Sequence, residues 1–120
     1  NHCVQGTFGA EFHKDLDTSK ANMIIRKGYR KQIDSYSAFY ENDKKKLTGL
    51  DGFLKQNNIK KVYLCGLALD FCVYYSAIDA TNLGYETYVI LNATKAIDLD
   101  GSKNKSLKDM EIKNVNLIHL

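Results

Sequence analysis

The chain alternates short apolar runs with longer stretches of helical spacing. Met23-Ile24-Ile25, Val62-Tyr63-Leu64-Cys65, Thr87-Tyr88-Val89-Ile90-Leu91 and Val115-Asn116-Leu117-Ile118 are short and largely β-branched or aromatic, which predicts four strands. Between them the apolar positions fall three and four residues apart. Leu47, Leu50, Phe53 and Leu54 share a face over roughly 46–57, a second helical pattern covers 70–83, and Leu107, Met110 and Ile112 mark a third over roughly 103–113. Strands alternating with helices predict parallel pairing through crossovers, hence an α/β layered sheet. Gly66 is placed to end the second strand, and Gly84 to stop the second helix in a left-handed conformation.

At 120 residues the chain is expected to form a single domain, 1–120, with enough length for a core. Cys3, Cys65 and Cys72 are odd in number and form no C-x-x-C pair, which predicts reduced thiols and a cytoplasmic setting. No apolar run approaches the roughly 18 residues of a membrane span, so a soluble chain away from membranes is expected. The net charge of +3 does not point to nucleic acid. Of 17 basic residues only Arg26 and Arg30 are arginine, the better side chain for bidentate phosphate or base contacts. The run Lys44-Lys45-Lys46 reads as a solvated face.

Candidate chemistry centres on Cys72. The strand pattern that ends near Gly66 gives way there to the helical stretch that ends at Gly84, so Cys72 is predicted at a strand-to-helix corner. Such a corner offers unpaired N–H groups and a partial positive charge to a thiolate. In open α/β sheets ligands bind beyond the carboxyl ends of strands, and Lys27, after Met23-Ile24-Ile25-Arg26, falls at the same edge if the first two strands are neighbours. On spacing alone a buried, inert cysteine and a solvated lysine remain the stronger readings of both residues. Cys65 is expected in the core, and His13 and His119 as surface or satisfied histidines. Gly6-Thr7-Phe8-Gly9 lacks the context of a phosphate cradle.

Three segments change those odds. They are the opening Asn1-His2-Cys3-Val4-Gln5-Gly6-Thr7-Phe8-Gly9-Ala10; then Arg26-Lys27-Gly28-Tyr29 with Asp34-Ser35-Tyr36-Ser37-Ala38-Phe39; and Gly66-Leu67-Ala68-Leu69-Asp70-Phe71-Cys72-Val73. In order and spacing the chain resembles the nicotinamidases, within the isochorismatase-like cysteine hydrolases. The resemblance implies a three-layer αβα fold with a mainly parallel sheet, of which this chain looks like the C-terminal two-thirds. It also implies that Cys72 is the nucleophile that attacks the carboxamide carbon of nicotinamide, forming a thioester on the way to nicotinate and ammonia in NAD salvage. Lys27 matches the family's catalytic lysine. Leu67-Ala68 matches the position of a cis peptide, with the Ala68 and Cys72 N–H groups forming the oxyanion hole. Tyr36 and Phe71 match positions lining the ring pocket.

His2 matches one ligand of a divalent metal ion, Zn, Mn or Fe, whose other ligands lie upstream in the family. The family's catalytic Asp and its Asp-x-His metal pair are also upstream of the matched segments, and Asp15 and Asp17, in a polar stretch, do not substitute for them. The chain alone is therefore expected to turn over poorly. A homo-oligomer, or pairing with a chain that carries the first part, stays open. So do two other functions: a related cysteine hydrolase acting on a carbamoyl or ureido substrate, and a non-catalytic α/β interaction domain.

Overall fold

The structure, a computed structural model, describes residues 2–120. Its frame is a parallel sheet in the order β1-β2-β3, with β1 at Lys61–Leu67, β2 at Glu86–Lys95 and β3 at Asn116–Ile118. Parallel neighbours require a crossover, and helices supply both: α2, Tyr74–Asn82, lies between β1 and β2, and α3, Ser102–Ile112, between β2 and β3. A shorter helix, α1, Leu50–Gln56, precedes β1. The first ladder runs from Lys61↔Glu86 to Leu64↔Val89, then resumes as Gly66↔Thr94 and Leu67↔Lys95 after a bulge. Tyr88↔Asn116 to Ile90↔Ile118 form the second.

Alternation along the strands assigns each side chain to one face. Leu64, Val89 and Leu117 face the helices, where they pack with Leu69, Val73, Ala77 and Met110. Val89 and Met110 are fully buried, and burying a side chain of that size stabilises by about 1.5–3 kcal/mol, so this cluster binds α2 and α3 to the sheet. Phe39, Val62, Ala80 and Tyr85 form a second cluster, against which Leu50 and Leu54 of α1 pack. The other face of β1 carries Lys61, Tyr63, Cys65 and Leu67, all exposed. Tyr63 stacks there on Tyr88, and β1 is laddered along one edge only among the described residues.

Several expectations need correction. Cys65 is exposed, because the alternation that buries Val62 and Leu64 turns it outward with Tyr63 and Leu67. Met23-Ile24-Ile25 forms no strand: it meets no ladder partner among the described residues, and Met23 and Ile24 are exposed. The first helix begins at Leu50, since Gly49 before it is left-handed and Leu47 is drawn into an antiparallel bridge with Tyr40. Gly84 does stop α2, with Gly84 N–H donating to Thr81 C=O and Tyr85 N–H to Ala80 C=O, the paired bonds of a left-handed helix stop. Gly66 does not end β1, which continues to Leu67; its φ of 108° lies at the bulge. Of the lysine run, Lys44 is not simply solvated: its ammonium donates to both oxygens of the buried Asp79.

Candidate active site

Beyond the carboxyl end of β1 the chain passes through a cis peptide at Leu67–Ala68 and enters a π-helical turn, Leu69–Val73. Ala68 C=O accepts from Val73 N–H, five residues on, and from Phe71 N–H, each at 3.1 Å. Cys72 thus lies within this wide turn, which continues into α2, and not at the start of a regular α-helix. Its thiol is half-buried.

Asp70 anchors the turn. It is only 4% exposed, and its carboxylate accepts from Ile97 N–H at 3.0 Å, Asp98 N–H at 2.8 Å and Ser102 Oγ at 2.6 Å. Burial pushes this carboxyl up, but the Ser102 hydroxyl and the Ile97 and Asp98 N–H groups outweigh it and hold the group below the ordinary carboxylate range. The β2–α3 connection is thereby tied to the turn that carries Cys72. The sequence reading passed over Asp70, although an acid set in the apolar Leu-Asp-Phe-Cys must find partners if it is buried.

Lys27 arrives from a distant segment. Its Nζ is 3.6 Å from Cys72 Sγ across 45 residues of chain, and it donates to Ser35 C=O at 2.6 Å. The contact forms without the strand that the sequence reading placed before Lys27. The segment Ser35–Glu41 instead buries every second residue, Ser35, Ser37, Phe39 and Glu41. Two of those are serines and one a glutamate, so no apolar run announced it. Arg30 holds Glu41 in an ion pair and also binds Asp43 at 2.7 Å. Lys45 N–H and the Arg30 guanidinium bring the Asp43 carboxyl down to about 2.

Tyr36 and Phe71 come together with ring centroids 5.8 Å apart, and Tyr36 also stacks on Tyr75 at 5.4 Å. Tyr75 was not singled out from the sequence. Its place four residues after Phe71, on the same helical face, was the available signal. His2 is exposed and is not brought into this group; among the described residues no three His, Cys, Asp or Glu side chains converge to hold a metal ion. What the arrangement can do is add a sulfur to an electrophilic carbon beside flat aromatic surfaces, with an ammonium against the reacting atoms.

A parallel α/β sheet with a cysteine and a lysine in contact beyond a strand end defines the class of this protein. The isochorismatase domain matches residues 1–119, and the chain belongs to that family. A nicotinamidase from Acinetobacter baylyi is 52% identical over 110 residues, 92% of this chain and 51% of its own length. A solved structure from L. infantum, in complex with nicotinate, superposes with a TM-score of 0.93 at 39% identity, covering 98% of this chain and 59% of the other. A pyrazinamidase of Pyrococcus horikoshii, in complex with zinc, superposes at 0.84 with 32% identity, covering 100% of this chain and 62% of the other. The chain spans about half the length of the curated relatives it matches. No helix among the described residues is long and apolar enough to cross a membrane.

Proposed function

We propose that the whole protein is a nicotinamidase of NAD salvage, hydrolysing nicotinamide to nicotinate and ammonia with Cys72 as nucleophile, and that residues 1–120 form one incomplete domain of it. The observation that carries this reading is the 3.6 Å approach of Lys27 Nζ to Cys72 Sγ in a family member whose relatives include nicotinamidases. Sulfur adds to the carboxamide carbon; the C–N bond breaks and ammonia leaves, taking the thiol proton. Water then adds to the thioester, the C–S bond breaks, and nicotinate departs with the thiol restored. Lys27 offsets negative charge on sulfur and then on the tetrahedral oxygen, which the Ala68 and Cys72 N–H groups receive. Tyr36 and Phe71, in contact with each other, form one aromatic wall against the pyridine ring. A group outside this chain carries the proton between thiol and leaving ammonia.

The chain offers one imidazole, His2, toward a divalent ion such as Zn, Mn or Fe, and a single exposed imidazole does not make a site. No step is derived through a metal. The partners of this reading are the small amide itself and the remainder of the domain, acting in the cytoplasm. The test is ammonia release by the whole protein from nicotinamide and from an aliphatic ureido amide. Preference for nicotinamide, lost on Cys72→Ala, is expected. Preference for the ureido compound would move the assignment to another cysteine hydrolase of the family.

A further inference from the structure

The contacts around Cys72 close on themselves. Cys72 Sγ meets Lys27 Nζ at 3.6 Å; Lys27 Nζ donates to Ser35 C=O at 2.6 Å; the chain runs through Tyr36 and Ser37 to Ala38, whose N–H donates to Ser76 Oγ at 2.8 Å. Ser76 Oγ then donates to Cys72 C=O at 2.6 Å. Ser76 is buried at 6% exposure, and its hydroxyl uses one donor and one acceptor site to make the link. The ring begins and ends on the same residue.

We infer that Ser76 is a positioning residue: by closing this ring it sets Lys27 and the Tyr36 wall at their offset from the Cys72 thiol. The inference rests on the reading of Cys72 and Lys27 as the reacting pair. A serine that only bonded back to the carbonyl one turn earlier would matter to the helix alone. Here the same oxygen also receives the Ala38 N–H, so the strap that carries Tyr36 is tied at both ends, through Lys27 to the side chain of Cys72 and through Ser76 to its backbone. Tyr36, between the ties, is pressed on Phe71 and Tyr75. Ala38 C=O accepts from Thr48 Oγ1 at 2.5 Å and the neighbouring Phe39 is fully buried, so loss of the Ser76 hydroxyl leaves the strap in place and removes only its tie to the Cys72 carbonyl, which lets Ser35 C=O and the ammonium it holds shift relative to sulfur.

Alkylation of Cys72 by iodoacetamide at pH 7, followed in the whole protein by mass analysis of the peptide that carries Cys72, with Cys3→Ser and Cys65→Ser removing the other thiols of residues 1–120, tests this without any amide substrate. Lys27→Met should slow alkylation about tenfold, and Ser76→Ala about three- to tenfold, the scale of one lost hydrogen bond. Ser76→Thr, which keeps the hydroxyl, should restore the parent rate. In a Lys27→Met background Ser76→Ala should add nothing, since it acts through Lys27. An undiminished effect of Ser76→Ala in that background, or a parent rate in Ser76→Ala alone, overturns the positioning role while leaving Cys72 and Lys27 as a pair. Indifference to Lys27→Met overturns the pair and this inference with it. Should Ser76→Ala not fold, hydrogen exchange at Ala38 N–H in Lys27→Met serves instead: opening the ring at its exposed end should speed exchange about threefold or more, and unchanged exchange overturns the proposal.

Discussion

Ser102 Oγ donates a 2.6 Å hydrogen bond to Asp70 Oδ2 across 32 residues of chain, joining the first turn of α3 to the turn that presents Cys72. With Ile97 and Asp98 N–H on the same carboxylate, the bond makes one rigid unit of two connections that leave the sheet at neighbouring strand ends.

Asp70→Asn should therefore lower the thermal midpoint at pH 7 by about 4–15 °C, for charged hydrogen bonds worth roughly 1–2 kcal/mol. The sign with pH follows from a folded carboxyl lying below its ordinary value of 3.8. Ionisation favours the folded chain, so the contribution is full above 3.8 and disappears as pH falls through the folded value. Thermal scans of parent and variant from pH 7 to pH 2 should converge at the acid end; a constant gap would refute the account.

Cys72→Ala should abolish ammonia release from nicotinamide by the whole protein with the far-UV spectrum unchanged. Lys27→Met should slow acylation by roughly 10²–10⁴, the range for loss of a positioned acid–base or electrostatic group. Single-turnover measurement of the acyl step separates this from weaker binding.

Tyr36→Ala should raise KM for nicotinamide more than it lowers kcat, the pattern of lost ground-state binding at an aromatic wall. Steady-state kinetics with equal loss in kcat and kcat/KM would assign Tyr36 to the transition state instead.

Tyr85 donates to Asp51 Oδ1 at 2.6 Å, and burial together with that carboxylate pushes its hydroxyl up to about 12. The neutral phenol favours the folded chain, so this stabilisation is complete below 10.0 and is lost between there and about 12. Urea midpoints should fall for the parent across that window, and Tyr85→Phe should show a smaller fall from a lower start.

The sheet and its crossovers were legible because β1, β2 and β3 each carry a short apolar run bracketed by polar neighbours, with helical spacing between them. The segments around Cys72 and Lys27 single out both residues as candidates, and the fold brings their side chains within 3.6 Å. What escaped is of one kind. Asp70, Ser76 and the alternately buried Ser35 and Ser37 are polar residues whose burial depends on partners far along the chain, and local pattern carries no record of such partners. Met23-Ile24-Ile25 failed in the opposite sense: three apolar residues were read as a strand, and a strand exists only where a neighbour accepts its hydrogen bonds.

The outward face of β1 and its edge, open among the described residues, also bear on how residues 1–120 behave in concentrated solution. Val62-Tyr63-Leu64-Cys65-Gly66-Leu67-Ala68 holds no charge and no proline, with Lys60 and Lys61 as gatekeepers at its start. β2 contains the equally uncharged Thr87-Tyr88-Val89-Ile90-Leu91-Asn92-Ala93-Thr94, but strands on both sides already occupy its backbone. Between two segments of like composition, topology makes β1 the strand open to edge-to-edge pairing wherever residues 1–120 stand without the rest of the domain, so a charge introduced at outward-facing Tyr63 should suppress fibre growth where the same charge at the fully buried Val89 of β2 would unfold the sheet.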